Sequence, residues 1–457
     1  MNPQTTRRTP RIAAALLSLL ATLPLAAPTL AGGTPECTLA GSSIPADAQK
    51  CIAEFIAMLN QPTPEKVKAF EDQFGSDQRR KSAGAAERAR NLAQGHEERG
   101  DVKFTRIGPA SPGVTTIIVS TSGGEELAFQ FYFSDSQPGK LDAVMISPAS
   151  KMLVTKPVDH AAIAAIVEGT AKALESEYVY PDVAARMATL IRDNLAKGAY
   201  DAIKDEVALD MRLTNDLRSI SHDKHLAVRM EPKRDDGHPD GPSAEAIAGD
   251  NYAFRKAEVL PGNIGYLRFD AFLDSPDAMT KASQAIGFVE NSRALIIDLR
   301  NNGGGSPEMI RYITSYFFDS RTHLNDMVDR NGKVVEEYWT LDSVPGKRLG
   351  SDIPIFVLTS PRTFSGAEEF SYNLKNLKRA TIVGETTGGG AHPVKGVRLT
   401  DTVVIGVPFM RAQNPISKAN WEGTGVEPDV KVAADEALAK AVDLAKQAIK
   451  GQPTAVR

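Results

Sequence analysis

Ser365 lies in "TSPRTFSGAEEF" (359–370), and two jobs suit a serine there. Glu368 follows at the Ser-x-x-Glu spacing of a capping box, in which hydroxyl and carboxylate satisfy the orphan N–H groups of a helix start. The same place suits a nucleophile, because those N–H groups hold a developing oxyanion as readily as they accept a cap. A serine hydroxyl attacks only when a base takes its proton. The candidate partners are His225 in "SHDKHLAV", His392 in "GGGAHPV", Lys395, and the ends of "NWEGTGVEPDV". Ser306 is a rival nucleophile, but it directly follows Gly303, Gly304 and Gly305 and reads as the cap of the next helix. Three successive glycines suit either a tight turn or a backbone that must come close to something. They are not a phosphate loop, since the Gly-x-x-x-x-Gly-Lys-Ser/Thr spacing is absent.

The elements around these residues follow from hydrophobic period. "IPIFVLTS" (353–360) is a short apolar run read as a buried strand, and Ala367, Phe370, Leu374 and Leu377 form a helical row after it. "IGYLRF", "RALIIDLR", "RATIVGET" and "VVIGVPF" are further strand-like runs alternating with helical segments, and "DEALAKAVDLAKQAIK" reads as a closing amphipathic helix. That alternation predicts an α/β core with largely parallel strands, in which ligands meet the carboxyl ends of the strands. "IIDLR" running into "NNGGGS", and "IFVLTS" running toward Ser365, put the unusual residues at those ends. Upstream, Val158 to Leu217 has helical period, with Pro181 and Gly198 as punctuation, and predicts a small helical bundle. Further upstream, Ile52, Phe55, Ile56 and Leu59 share one helical face. They precede four strand-like runs, "DVKFTRIG", "VTTIIVST", "ELAFQFYF" and "LDAVMIS", which predict an α+β accessory domain with an antiparallel meander. The expected organisation is a signal peptide at 1–31, the accessory domain at 37–150, the bundle at 157–230, a linker at 231–251 and the α/β core at 252–450.

Composition bounds the function. With 42% hydrophobic and 24% charged residues, the 457-residue chain reads as globular and too long for one core. Arg7, Arg8 and Arg11 precede an apolar run ending in small residues, the pattern of a secretory signal cleaved after Ala31. Its removal takes the formal net charge from −4 to −7, which gives no basis for nucleic-acid binding. No later stretch is long and apolar enough to span a bilayer. An oxidising compartment favours a disulfide between Cys37 and Cys51, two free buried thiols being the alternative. The pair has no histidine cluster beside it and does not make a metal site.

From about Val158 onward the chain resembles the tail-specific, or C-terminal processing, serine peptidases, most of all their branch with interphotoreceptor retinoid-binding protein and tricorn-like peptidases. "YVYPDVAARM", "SHDKHLAV", "ALIIDLRNNGGG", "TSPRTFSGAEEF", "IVGETTGGGAHP" and "WEGTGVEPDV" carry the resemblance, in the family's order. The resemblance implies a ClpP/crotonase-like core and Ser365 as nucleophile. In the Ser/Lys branch the base is a lysine twenty-five residues beyond the serine, a position that here is Gly390. The tricorn-like branch implies His225 as base instead, Glu422 as the carboxylate that orients it, and an oxyanion hole from the N–H groups of Gly366 and Gly304. His225 and Ile264 are only 39 residues apart, less than the roughly 50 residues a domain needs, so no PDZ domain fits between them.

The leading expectation is a periplasmic or secreted serine peptidase cutting peptides or unfolded proteins without a cofactor. The alternatives are a retinoid-carrier-like protein binding a hydrophobic ligand on the same scaffold, and an esterase or amidase. Oligomeric state is not legible.

Overall fold

The computed structural model describes residues 44–450 apart from 83–84, 109–113, 135–136, 138, 152–155 and 232–242. The expected signal peptide and Cys37 lie outside these residues, and the disulfide expectation with them. Cys51 is buried and unpaired among the described residues, and burial pushes its thiol up to about 12.

The described chain divides into two compact units, one of 44–166 with 194–212 and the other of 167–193 with 213–450. The first contains α1 (Ala46–Leu59), α2 (Pro64–Phe74), α3 (Asp77–Ser82) and α4 (Ala85–Arg99), followed by β1 (Val102–Ile107), β2 (Val114–Thr121), β3 (Glu126–Phe133) and β4 (Leu141–Pro148). The strands pair in sequence order, each antiparallel to the next. Ile52, Phe55, Ile56 and Leu59 of α1 are buried with Val67 and Phe70 of α2 and with Ile117, Val119, Phe129 and Phe131 of the sheet. The Phe55 ring stands 5.3 to 6.1 Å from the rings of Phe70, Phe129 and Phe131, so one aromatic residue joins helices to sheet.

The helical stretch contains α5 (His160–Glu177), α6 (Pro181–Ala196) and α7 (Glu206–Ser221). The unit boundaries cut through all three, so that 167–193 and 213–221 belong with the residues that follow. Next come β5 (Ala227–Met230), α8 (Ala244–Gly249), β6 (Phe254–Leu260), β7 (Ile264–Phe269), α9 (Pro276–Phe288), β8 (Ala294–Asp298), α10 (Pro307–Thr314), β9 (His323–Asp329), β10 (Val334–Trp339) and β11 (Ile355–Thr359). They are followed by α11 (Gly366–Asn376), β12 (Thr381–Gly384), β13 (Val394–Arg398), β14 (Val403–Pro408), β15 (Met410–Gln413), β16 (Val430–Lys431) and α12 (Ala437–Lys450).

The main sheet has the order β16-β12-β11-β8-β7-β6, parallel except for β6 against β7. Its strands are apolar on both faces because both are covered. Leu295, Ile297, Ile355 and Val357 pack with α9, α10 and α11, while their neighbours Ala294, Ile296, Phe356 and Leu358 pack with Ala437, Ala441, Ala445 and Ile449 of α12. The period of two sorts each strand between the layers. Two three-stranded sheets, β10-β9-β15 and β13-β14-β5, complete the unit. In the second, Val228 of β5 pairs with Ile405 of β14, which fixes the start of β5 and hence His225 just before it.

Candidate active site

The carboxyl ends of β8 and β11 lie side by side, Leu358 pairing with Asp298, so the turns that leave them meet. Buried Asn302 stitches these turns together. Its side-chain amide donates to Phe269 O at 2.9 Å, its side-chain oxygen accepts the Gly304 N–H at 2.8 Å, and its backbone carbonyl accepts the Phe364 N–H at 3.1 Å. Gly304, with φ of +104°, passes so close to the second turn that a Cβ there would stand 2.6 Å from Gly366 N and 2.8 Å from Ser365 Cβ. The glycine run is therefore a close approach as well as a turn.

Ser365 has φ of 53° and ψ of −121°, a conformation costly for a residue with a side chain. Ser365 and Glu368 are arranged as a capping box, but only its Glu368 half closes as a direct hydrogen bond, and the serine side chain makes no cap hydrogen bond. The Ser365 carbonyl accepts the N–H groups of Glu368 and Glu369 at 2.9 and 3.0 Å, and the Ser365 N–H donates to Glu368 Oε2 at 2.9 Å. The half-buried hydroxyl is left over.

Glu368 is fully buried and saturated. Besides Ser365 it accepts the Thr387 hydroxyl at 2.5 Å and the N–H groups of Gly389 and Gly390 at 2.6 and 2.8 Å. Burial raises its pKa, and these hydrogen bonds oppose the rise. One carboxylate thus ties the Ser365 turn to the 387–390 loop. From sequence it was legible only as a cap.

His225 packs against the same loop. Its ring packs on Phe364 with centroids 4.6 Å apart, and a Cβ at Gly390 would stand 2.6 Å from His225 Cε1 and against Phe364 as well. The imidazole and Phe364 therefore fill the space that a side chain at 390 would need. The His225 N–H donates to Asp223 Oδ1 at 2.9 Å, while its buried Nδ1 has no partner among the described residues. Burial holds the imidazole down to about 4, against the pull of Asp223.

Glu422 does not hydrogen-bond His225 in this state. Its Oε2 accepts the Ala391 N–H at 2.6 Å and lies 3.5 Å from His392 Nδ1, and its buried Oε1 is unpartnered among the described residues. Burial pushes it up to about 7, with nearby His392 lowering and Asp223 raising it. His392 Nδ1–H donates to Asp223 Oδ2 at 2.6 Å. Asp223, His392 and Glu422 are a set that would suit a metal ion. Two ligands on a tetrahedral ion, with bonds of about 2.0–2.1 Å, stand about 3.3 Å apart, so the 2.6 Å contact fits a shared proton. Lys395 is held elsewhere, paired with Glu177 and above the Phe409 ring.

Of the two expected oxyanion donors, the Gly366 N–H has no partner among the described residues, whereas the Gly304 N–H is engaged by Asn302. In the same triplet the Gly303 N–H donates to Asp270 O at 3.2 Å, and the Gly305 N–H is unpartnered among the described residues. Ser306 caps α10, its hydroxyl accepting the Glu308 N–H at 3.2 Å.

Residues 263–432 match peptidase family S41, and 158–256 match the N-terminal domain of Peptidase_S41 in eukaryotic IRBP. The chain belongs to peptidase family S41. Among curated relatives, the chloroplastic C-terminal processing peptidase of Tetradesmus obliquus is 30% identical over 184 residues, 38% of this chain and 37% of that protein. The carboxyl-terminal-processing protease of a Picosynechococcus species is 29% identical over 168 residues, 36% of this chain and 38% of that one. The match thus spans little more than a third of these relatives. Among solved structures, a photosystem II D1 C-terminal processing protease aligns with a TM-score of 0.39 and 18% identity, over 60% of this chain and 93% of its own length. No helix among the described residues is long and apolar enough to cross a membrane.

Proposed function

We propose that the chain is an exported serine-type peptidase that hydrolyses peptide bonds through an acyl-enzyme on Ser365, with His225 as base and Glu422 as the carboxylate that orients it. The observation that carries this reading is the Ser365 turn, where a strained serine leaves its hydroxyl out of the helix cap, lies against the Gly304 backbone and directly follows Phe364, on whose ring His225 packs. Ser365 Oγ attacks the carbonyl carbon as its proton passes to His225 Nε2, and the carbonyl electron pair becomes an oxyanion. The free Gly366 N–H receives that charge together with an N–H of the triplet; Gly305 is free to serve, and Gly304 must leave Asn302 to do so. The protonated imidazole then gives its proton to the leaving amine, and water releases the acyl group by the same steps reversed. His225 Nδ1 and Glu422 Oε1 are an unpartnered donor and acceptor, and catalytic hydrogen bonds commonly close only when substrate binds.

The same reading takes the six-stranded sheet as a ClpP/crotonase-like core, 157–230 as a helical bundle and 37–150 as an accessory domain. It places the mature chain in the periplasm or outside the cell, acting on peptides or unfolded proteins. A carrier of hydrophobic ligands needs an apolar cleft. A shallow depression lined by Ala173, Val397 and Leu399 together with Lys172, Glu175 and Arg398 shares no residue with the Ser365 site.

Fluorophosphonate treatment of the purified protein, with the modified residue mapped, tests the reading. Labelling of Ser365 that is lost in Ser365→Ala and His225→Ala is the expected result. An unlabelled folded protein that binds a retinoid stoichiometrically would support the carrier instead.

A further inference from the structure

Attack by Ser365 can be described without His392, yet His392 is the most enclosed imidazole of the site, only 2% exposed. Its Nδ1–H donates to Asp223 Oδ2, the same nitrogen lies 3.5 Å from Glu422 Oε2, and the Tyr180 hydroxyl stands 3.4 Å from Nε2. Asp223 is held by both oxygens. Oδ2 also accepts the Tyr178 hydroxyl at 3.2 Å, and Oδ1 accepts the backbone N–H of His225 at 2.9 Å. A chain of contacts therefore runs from Glu422 through His392 and Asp223 to the main chain of His225.

Resting on the Ser365–His225–Glu422 reading, we propose that His392 is a positioning residue for the base, a clamp that holds Asp223 on the His225 backbone and Glu422 beside it. Two buried carboxylates this close repel each other, and one of them takes a proton unless something positive or proton-donating stands between them. His392 supplies that donor. Without it Asp223 keeps only the longer Tyr178 hydrogen bond at Oδ2, its hold on the His225 N–H loosens, and the imidazole is less firmly placed. The charged and titratable groups acting on Glu422 and Asp223 are each other, His392, His225, Glu368, Arg218, Tyr178 and Tyr180. Arg411 lies over the Tyr180 ring.

The test compares wild type, His392→Phe and His392→Asn by the rate of fluorophosphonate labelling at Ser365, by kcat and KM on a peptide found by library screening, by pH profile and by thermal melting. His392→Phe is expected to lower labelling and kcat about 10- to 100-fold with KM little changed, as a displaced catalytic group does. His392→Asn keeps an N–H toward Asp223 and should recover most of that loss. Asparagine cannot carry the positive charge that favours ionised Glu422, so the acid limb of its profile should move to higher pH. Wild-type labelling and an unchanged profile in folded His392→Phe overturn the proposal alone. If His392→Phe does not fold, His392→Asn decides: a raised acid limb supports the clamp and a wild-type limb sinks it. Hydrolysis at the wild-type rate by Ser365→Ala is a different failure, one that removes the underlying reading and the clamp with it.

Discussion

Ser306 and Ser365 open neighbouring helices after adjacent parallel strands, each with a glutamate in the first turn, and they use their hydroxyls differently. Ser306 has the extended backbone of an ordinary cap, φ of −73° and ψ of 132°, and its hydroxyl accepts a helix N–H. Ser365 is twisted to φ of 53°, its carbonyl takes the helix N–H groups, and Glu368 takes its own N–H. Capping at Ser365 is thus complete without the hydroxyl. Similar sequence signals conceal unequal chemistry because the cap pattern specifies residue types, while backbone torsion decides which oxygen does the capping.

Replacing each serine by alanine should separate the two most widely. Ser365→Ala is expected to lower turnover by about three orders of magnitude or more, with little change in melting temperature because no cap bond is lost. His225→Ala should match it, and the double variant should lose little more, since groups acting as one unit are non-additive. Ser306→Ala should instead cost about 0.5–2 kcal/mol of stability and leave hydrolysis near wild type. Peptide cleavage assays beside thermal melts decide the matter. If Ser365→Ala destabilises as Ser306→Ala does and still cleaves, the two serines are alike and the comparison fails.

The sequence made some of this legible and concealed the rest for physical reasons. The strands of the main sheet announced themselves because burial on both faces requires continuous apolar runs, as in "ALIID" and "IFVLT". Ser306 as a cap and the close approach of the glycine run were also readable, since both follow from local backbone needs. Partnerships across the chain were not. His392 and Asp223 are 169 residues apart, and no local pattern says which of several histidines will meet which carboxylate. Glu368 looked like a simple cap because its other three donors, Thr387, Gly389 and Gly390, arrive from a different loop. The three helices α5, α6 and α7 read as one group by period, whereas tertiary contacts divide them between two units.

A smaller effect should sharpen the contrast by disturbing only the neighbour of Ser365. At Gly390 an added Cβ would stand within contact of both His225 and Phe364, and the ring cannot keep its place. Gly390→Ala is expected to lower kcat about 100-fold, the penalty of a displacement of about 1 Å in a reacting group. Gly303→Ala, where a Cβ meets nothing within 4 Å, should change it far less. Equal losses in the two, measured as kcat on one peptide, would show that His225 is not held by this packing.

The smallest change in rate, and the most informative in pH, belongs to Glu422→Gln. His225, held down to about 4, is already neutral and able to accept a proton at any pH well above that value. Its own titration therefore places an acid limb near pH 4, below the usual histidine range of about 6.5. Glu422, pushed up to about 7, is uncharged below that pH and becomes anionic above it. If its charge stabilises the imidazolium formed during attack, kcat should rise as pH increases through about 7 and then level off. The glutamine variant has no charge to gain, so its rate should sit near the low-pH level of wild type and show no step in that region. Asp223 and His392 are coupled to Glu422, so the observed midpoint belongs to the cluster and need not equal the value for any one residue. A wild-type step that survives in Glu422→Gln would assign the charge to Asp223 and His392 alone, and would remove Glu422 from the proposed triad.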